Sequence, residues 1–168
     1  MVVLSDSPAR GPVTELLREH LADMALHSPP ESIHALDVGA LLAPGISFWT
    51  VNADTELLGC GALSVLDERH GEIKSMRTRP AYRGQGVATL LLRHILDEAR
   101  QRGLARLSLE TGAAPAFAPA RALYARFGFS YCGPFAGYVL DPHSVFMTLE
   151  ICSARGPTRG LEPTQGSR

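Results

Sequence analysis

The segment from Gly71 to Arg102, GEIKSMRTRPAYRGQGVATLLLRHILDEARQR, constrains the chain more than any other. It reads as a strand, a glycine-bearing turn and a helix in unbroken succession. Glu72 to Thr78 alternates its side chains and holds neither Gly nor Pro, which predicts a strand, and Pro80 ends it. From Ala88 onward the apolar residues Ala88, Leu91, Leu92, Ile95 and Ala99 recur at the spacing of an amphipathic helix, and Gly103 stands where a C-terminal cap would. Between strand and helix lies Arg83-Gly84-Gln85-Gly86-Val87-Ala88.

A helix starting at such a loop presents backbone N–H groups that have no partner within the helix, at the positive end of its dipole. Gly84 and Gly86 remove the Cβ atoms that would keep a phosphate from the backbone, and Arg83 adds a fixed charge. Hydrogen bonds to charged groups are each worth about 1.5–3 kcal/mol, so a few of them hold a diphosphate without a metal. The residues alone therefore imply a phosphate-bearing ligand. A Walker loop is excluded, because no Gly-x-x-x-x-Gly-Lys run exists. A dinucleotide fingerprint is weakened by Thr89 at its third glycine position and by the residues Arg79 to Tyr82 between strand and turn.

Arg83-x-x-Gly86-x-Ala88, following a strand and a Pro80 turn, resembles the acetyl-CoA signature of the GNAT N-acetyltransferase superfamily. The later run Ala122-Leu-Tyr-Ala-Arg-Phe-Gly-Phe129 is similar to the same family's C-terminal segment, in which a Tyr lies near the thioester sulfur. Both motifs occur in the family's order, and the resemblance spans Glu56 to Ile151, more loosely the N-terminal third. It implies an α/β (α+β) fold: a central mixed, mostly antiparallel sheet with splayed parallel central strands, flanked by helices. It also implies acetyl-CoA as co-substrate, no metal, and an amine acceptor that is either a small molecule or a protein. Members of this family often form homodimers.

At 168 residues the chain suits one domain, expected over 1–152, with a disordered tail over 153–168 that is rich in Gly, Pro, Ser and Thr. A formal net charge of −1 gives no reason to expect nucleic acid as a partner. No apolar run approaches the roughly 20 residues that span a bilayer, so a soluble, cytoplasmic protein is expected, with no membrane partner. Cys60, Cys132 and Cys152 are odd in number and lack metal-ligand spacing, which argues against a disulfide framework or a zinc site. Cys60 and Cys132 sit in apolar surroundings as packing residues.

Along the chain, Val2 to Leu4 reads as an edge strand. A helix opened by Ser7-Pro8 or Gly11-Pro12 carries Val13, Leu16, Leu17, Leu21 and Met24 on one stripe. Ser28-Pro-Pro-Glu31 matches a capping box, which predicts a second helix from Pro29 to about Leu42, the pair forming a lid. Ile46–Asn52 and Leu57–Leu66 read as antiparallel strands, in which Gly59 and Gly61 mark a bulge or a close backbone approach. Ala105–Glu110 should run parallel to the central strand, because a helix crosses between them. A helical stripe of Ala120, Leu123, Tyr124 and Phe127 follows. Strands at Phe129–Cys132 and Val145–Ile151 then flank a long connection.

The resemblance distributes roles over these elements. Met76 and Thr78 offer main-chain groups to the pantetheine arm, an N–H near Met76 or Arg77 faces the thioester oxygen, and Arg83, Gly84, Gln85, Gly86, Val87, Ala88 and Thr89 cradle the diphosphate. Tyr124 is the candidate acid for the departing thiolate, since a phenol with its usual pKa of about 10 stays protonated at neutral pH. Glu72, on the strand face expected to carry Lys74, Met76 and Thr78, is the candidate general base. Glu110, at the end of the neighbouring strand, is the alternative base, and either carboxylate acts through a water or instead binds a cationic acceptor. His34, Tyr138 and Asp141 are candidates for shaping the acceptor pocket. His20, His27 and His34 recur evenly, but Pro29 and Pro30 break any shared helix, which excludes a metal site built on it. No Cys-His or Ser-His pair in a recognisable context supports a covalent acyl-enzyme, so direct attack by the amine is expected. A non-catalytic acetyl-CoA-binding regulatory module and an enzyme using another nucleotide cofactor are the competing readings.

Overall fold

In the computed structural model, which describes residues 1–151, the segment around Gly71 to Arg102 forms strand β4 (His70–Thr78), a single turn at Pro80–Tyr82 and helix α3 (Val87–Gln101). The tail expected over 153–168 falls outside the described residues. β4 lies in the middle of a seven-stranded sheet ordered β1 (Val2–Ser5), β2 (Ile46–Ala53), β3 (Glu56–Val65), β4, β5 (Arg106–Gly112), β7 (Ser144–Glu150) and β6 (Ser130–Cys132). Among the described residues only β4 and β5 pair in parallel; every other neighbouring pair is antiparallel. The mixed, mostly antiparallel α/β fold expected from the sequence is therefore the one present.

Helices cover both faces. α3 buries Leu91, Leu92, Ile95 and Ala99 against Leu63, Ile73 and Leu107 of the sheet, joined by Leu123 and Tyr124 of α4 (Ala118–Arg126). Burying each of these large aliphatic side chains is worth about 1.5–3 kcal/mol, which is what fixes α3 at its angle to the central strand. On the other face, Val13, Leu16 and Leu17 of α1 (Gly11–Ala25) and Leu41 of the short α2 (Val38–Leu41) pack on Phe48, Cys60 and Ala62. No helix among the described residues is long and apolar enough to cross a membrane.

Two features of the central strands build the cleft described below. β4 pairs with β5 only over His70–Ile73, although both strands run on, to Thr78 and Gly112, so their C-terminal halves diverge. β4 also bulges: Ser75 has φ 54°, and the β3–β4 register slips between Cys60 and Ala62. The bulge explains the two glycines of β3. A Cβ at Gly59 would stand 2.6 Å from the Arg77 carbonyl oxygen, and one at Gly61 would stand 2.7 Å from Met76 Sδ.

The same bulge corrects one expectation. A period-2 strand would place Met76 on the face of Glu72 and Lys74, but the extra residue at Ser75 shifts it to the opposite face, against Leu91 and the α3 core. The second correction concerns the predicted helix from Pro29 to Leu42. Pro30–Ser32 makes one tight turn, Ile33 leaves it extended, and the chain becomes helical again only at Val38, where Asp37 Oδ1 accepts a hydrogen bond from the Ala40 amide at 2.8 Å. Asp37 thus supplies a new N-cap inside the stretch expected to be continuous.

Candidate active site

Where β4 and β5 diverge, a cavity of about 750 Å³ opens between the end of β4, the start of α3, the C-terminal half of α1, and α4. Met76, Arg77 and Thr78 line one wall, and Arg83, Gly84, Gly86, Val87, Ala88 and Thr89 line the next. Nine of the ten residues expected to hold the cofactor are thus brought together. Gln85 is the exception, because its amide turns back to donate to the Ala81 carbonyl at 3.1 Å.

The loop has the form that an anion cradle needs. Gly84 and Gly86 have φ of 76° and 85°, and a Cβ built on either would meet nothing within 4 Å. Conformation rather than crowding therefore demands glycine, and the open space in front of the backbone is available to a ligand. Gly86 is the N-cap of α3 and no side chain among the described residues caps the helix, so the first-turn amides are left for an incoming oxyanion. The side chain of Arg83 is 59% exposed and lies 3.8 Å from Asp23 of α1. Arg77, whose side chain is nearly buried, holds the same Asp23 carboxylate at 2.5 Å and pulls its pKa below the ordinary carboxylate value.

A smaller cavity of about 100 Å³ adjoins the first, and His34, Glu72, Lys74, Glu110, Tyr124 and Tyr138 all reach it. Of the side chains expected to act in catalysis or to hold the acceptor, Tyr124, Glu72, Glu110, His34 and Tyr138 line it and Asp141 does not. Glu72 is buried, and its Oε1 accepts hydrogen bonds from Lys74 Nζ at 2.8 Å and from the Tyr138 hydroxyl. Lys74 Nζ also donates to the Tyr138 oxygen at 2.8 Å, closing a three-membered network. Tyr138 comes from the long β6–β7 connection and is fixed there by ring contacts with Phe135, Phe146 and His34. Asp141 does not reach the cavity. Its Oδ1 instead accepts from the His143 amide at 2.7 Å and shapes the turn before β7.

Burial sets the protonation of this site. It pushes the Tyr124 phenol well above its ordinary range, and it does the same to Tyr138 with the Glu72 charge adding to the effect. Glu110 is raised as well, chiefly by burial, against the lowering effect of Ser144, His34 and Lys74. Tyr124 packs its ring against Phe129 and reaches both cavities. His20, Asp23 and Met24 of α1 line the larger cavity and Lys74 the smaller one, none of them marked as a site residue by sequence motifs. Lys74 was detectable as the residue two places from Glu72 on the same strand face. Among the described residues no group of three His, Cys, Asp or Glu side chains is placed to hold a metal ion.

Comparison with known proteins matches this architecture. The model of the Acetyltransferase (GNAT) family matches residues 13–129. The uncharacterised N-acetyltransferase YsnE of Bacillus subtilis is 57% identical over 83% of this chain and 92% of its own length. The uncharacterised N-acetyltransferase YedL of Escherichia coli is 49% identical over 89% of this chain and 94% of its own. A GNAT family acetyltransferase from Elizabethkingia anophelis, solved with acetyl-CoA bound, shares the fold with a TM-score of 0.65 at 16% identity, covering 89% of this chain and 97% of that one.

Proposed function

The chain belongs to the GNAT acetyltransferase family, and from that premise we propose that it transfers the acetyl group of acetyl-CoA to a primary amine, of a small molecule or a protein, by direct attack. The observation that carries this reading is the junction of the two cavities: a glycine-lined anion cradle opens into a second space walled by carboxylates, with Tyr124 on the boundary. A GNAT structure holding acetyl-CoA supports the choice of donor.

Acetyl-CoA, when bound, supplies the activated acetyl group. Main-chain amides at Gly84 to Ala88 and the Arg83 guanidinium hold its diphosphate. The end of β4, freed from β5, lends Met76 and Thr78 as an open strand edge to the pantetheine arm. Glu72 and Glu110 give the acceptor cavity a negative charge that Lys74 offsets only in part, so an ammonium is drawn in. Both bonds from Lys74 and Tyr138 go to Glu72 Oε1, leaving Oε2 to take the first proton from that ammonium. His34 and Tyr138 form the outer wall against which the acceptor is positioned. Tyr124, kept neutral by burial, donates its phenolic proton to the thiolate as it leaves.

The test is to follow free thiol while the pure protein is incubated with acetyl-CoA and a panel of amines: spermidine, L-lysine, tyramine and a peptide with a free N-terminal alanine. Amine-dependent thiol release with matching mass gain on the amine is expected. Tight acetyl-CoA binding without thiol release from any of them would favour the regulatory module instead.

A further inference from the structure

An acceptor that arrives as an ammonium has to lose two protons before it becomes an amide. The first must go before the nitrogen can attack. The second must go once the C–N bond has formed and the nitrogen carries one proton too many. Glu72 stands in the acceptor cavity and serves the first loss. The second occurs where the nitrogen and the acetyl carbon meet, which is the junction of the two cavities.

Among the described residues, only His20, Met24, Met76, Phe117, Ala120 and Tyr124 line both spaces. Of these six, only His20 and Tyr124 carry a group that can take up or give a proton. From that placement, and resting on the function proposed above, we propose that His20 is a second catalytic base, accepting the amine's last proton as the C–N bond forms and the C–S bond breaks. The bookkeeping closes on these residues. The ammonium gives up two protons, Tyr124 passes one to the thiolate, and the His20 imidazolium restores the Tyr124 phenol across their shared junction. The proton on Glu72 returns to solvent.

The surroundings of His20 agree with that role. Arg77 of β4 and Asp23 of its own helix flank it, Tyr124 of α4 shares the junction, and Glu72, Lys74, Glu110 and His34 stand around the adjoining cavity. Burial, with Arg77 adding to it, draws the imidazole down to about 4, so it stands neutral with a free lone pair at neutral pH, while burial holds Tyr124 protonated. Two titratable groups that line the same junction and are driven in opposite directions fit an acid and a base.

The experiment compares wild type, His20→Gln and His20→Ala with the best amine of the panel above, measuring kcat, KM for that amine, and the acetyl-CoA dissociation constant by calorimetry. General acid–base groups contribute about 10²–10⁴-fold, so kcat should fall by about 100-fold or more in both variants while acetyl-CoA affinity stays within about threefold. Added imidazole should restore His20→Ala, and substituted imidazoles should restore it in order of their basicity. A kcat for His20→Gln within about threefold of wild type would overturn the proposal. So would a fall in kcat that no imidazole repairs, which would make His20 a packing residue. A wild type that acetylates none of the amines would remove the parent reading and this one with it, whereas active wild type with an unaffected variant removes only this one.

Discussion

The cradle assignment can be separated from mere loop strain by a matched pair of substitutions, Gly86→Ala and Gly103→Ala. Both glycines sit in the left-handed region, at φ 85° and 76°, and a Cβ on either meets nothing within 4 Å. Gly86 opens α3 in the wall of the large cavity, while Gly103 follows its far end, away from the cavity. Forcing an L residue into this conformation costs about 1–2 kcal/mol, and alanine recovers about 0.4–1 kcal/mol by restricting the unfolded chain. Each variant should therefore lose about 1 kcal/mol, a fall in Tm of about 2–4 °C for a domain of this size.

Binding should tell the two apart. The new methyl group at residue 86 projects into the space in front of the α3 amides and displaces at least one charge-assisted hydrogen bond to the diphosphate. Such a bond is worth about 1.5–3 kcal/mol, so acetyl-CoA should bind Gly86→Ala about 10- to 100-fold more weakly. Gly103→Ala should bind it as wild type does. Scanning calorimetry and isothermal titration on the same samples measure both quantities. If Gly86→Ala loses stability but keeps its affinity, the diphosphate does not lie on this loop. If the two variants lose affinity equally, the effect is a general loosening of α3 and the reasoning from the cradle fails.

Three further outcomes follow from the acceptor side. Tyr124→Phe should lower kcat about 100-fold with the acetyl-CoA dissociation constant unchanged, and unaltered turnover would remove Tyr124 as the acid. Lys74→Met strands the Glu72 carboxylate, whose side chain is 6% exposed, beside Tyr138 alone; breaking such a buried pair costs about 3–5 kcal/mol. A large drop in Tm is expected, relieved in the double variant with Glu72→Gln, and no drop would show the pair to be solvated. Glu110 has a raised pKa, so the folded state binds its proton more tightly than the unfolded chain does. That stabilisation is complete below the ordinary value of 4.5 and is lost as pH rises through the raised folded value. Glu110→Gln should accordingly raise Tm at pH 7 and leave it nearly unchanged at pH 4, and the opposite ordering would refute burial as the cause.

The parts of this molecule that local rules govern were legible in its sequence. Helical spacing located α3, and the glycines between Arg83 and Val87 exposed its N-terminus, because both depend on neighbours in the chain. Gly59 and Gly61 announced a close approach correctly, though not what approached. The Ser75 bulge escaped because nothing in Lys-Ser-Met-Arg distinguishes a bulged strand from a straight one, and the slip is set by pairing with β3. One extra residue leaves Glu72 and Lys74 lining the smaller cavity while Met76 packs toward the α3 core, so on the proposed function a single strand serves both substrates. The Pro29–Leu42 error came from a capping pattern that satisfies only one turn, with Asp37 competing as a second cap.

His20 shows the same limit from the other direction. On the helical wheel of α1 it lies inside the apolar stripe, between Leu16 and Val13, a position that reads as part of a packed face. It gains a chemical role only because β4 and β5 part company beneath it and leave two cavities where a closed sheet would have left none. A residue's spacing can predict which face it occupies. What that face looks onto is decided by strands far away in sequence, and in this fold the divergence of two strands turns part of the apolar face of α1 into the wall of two cavities.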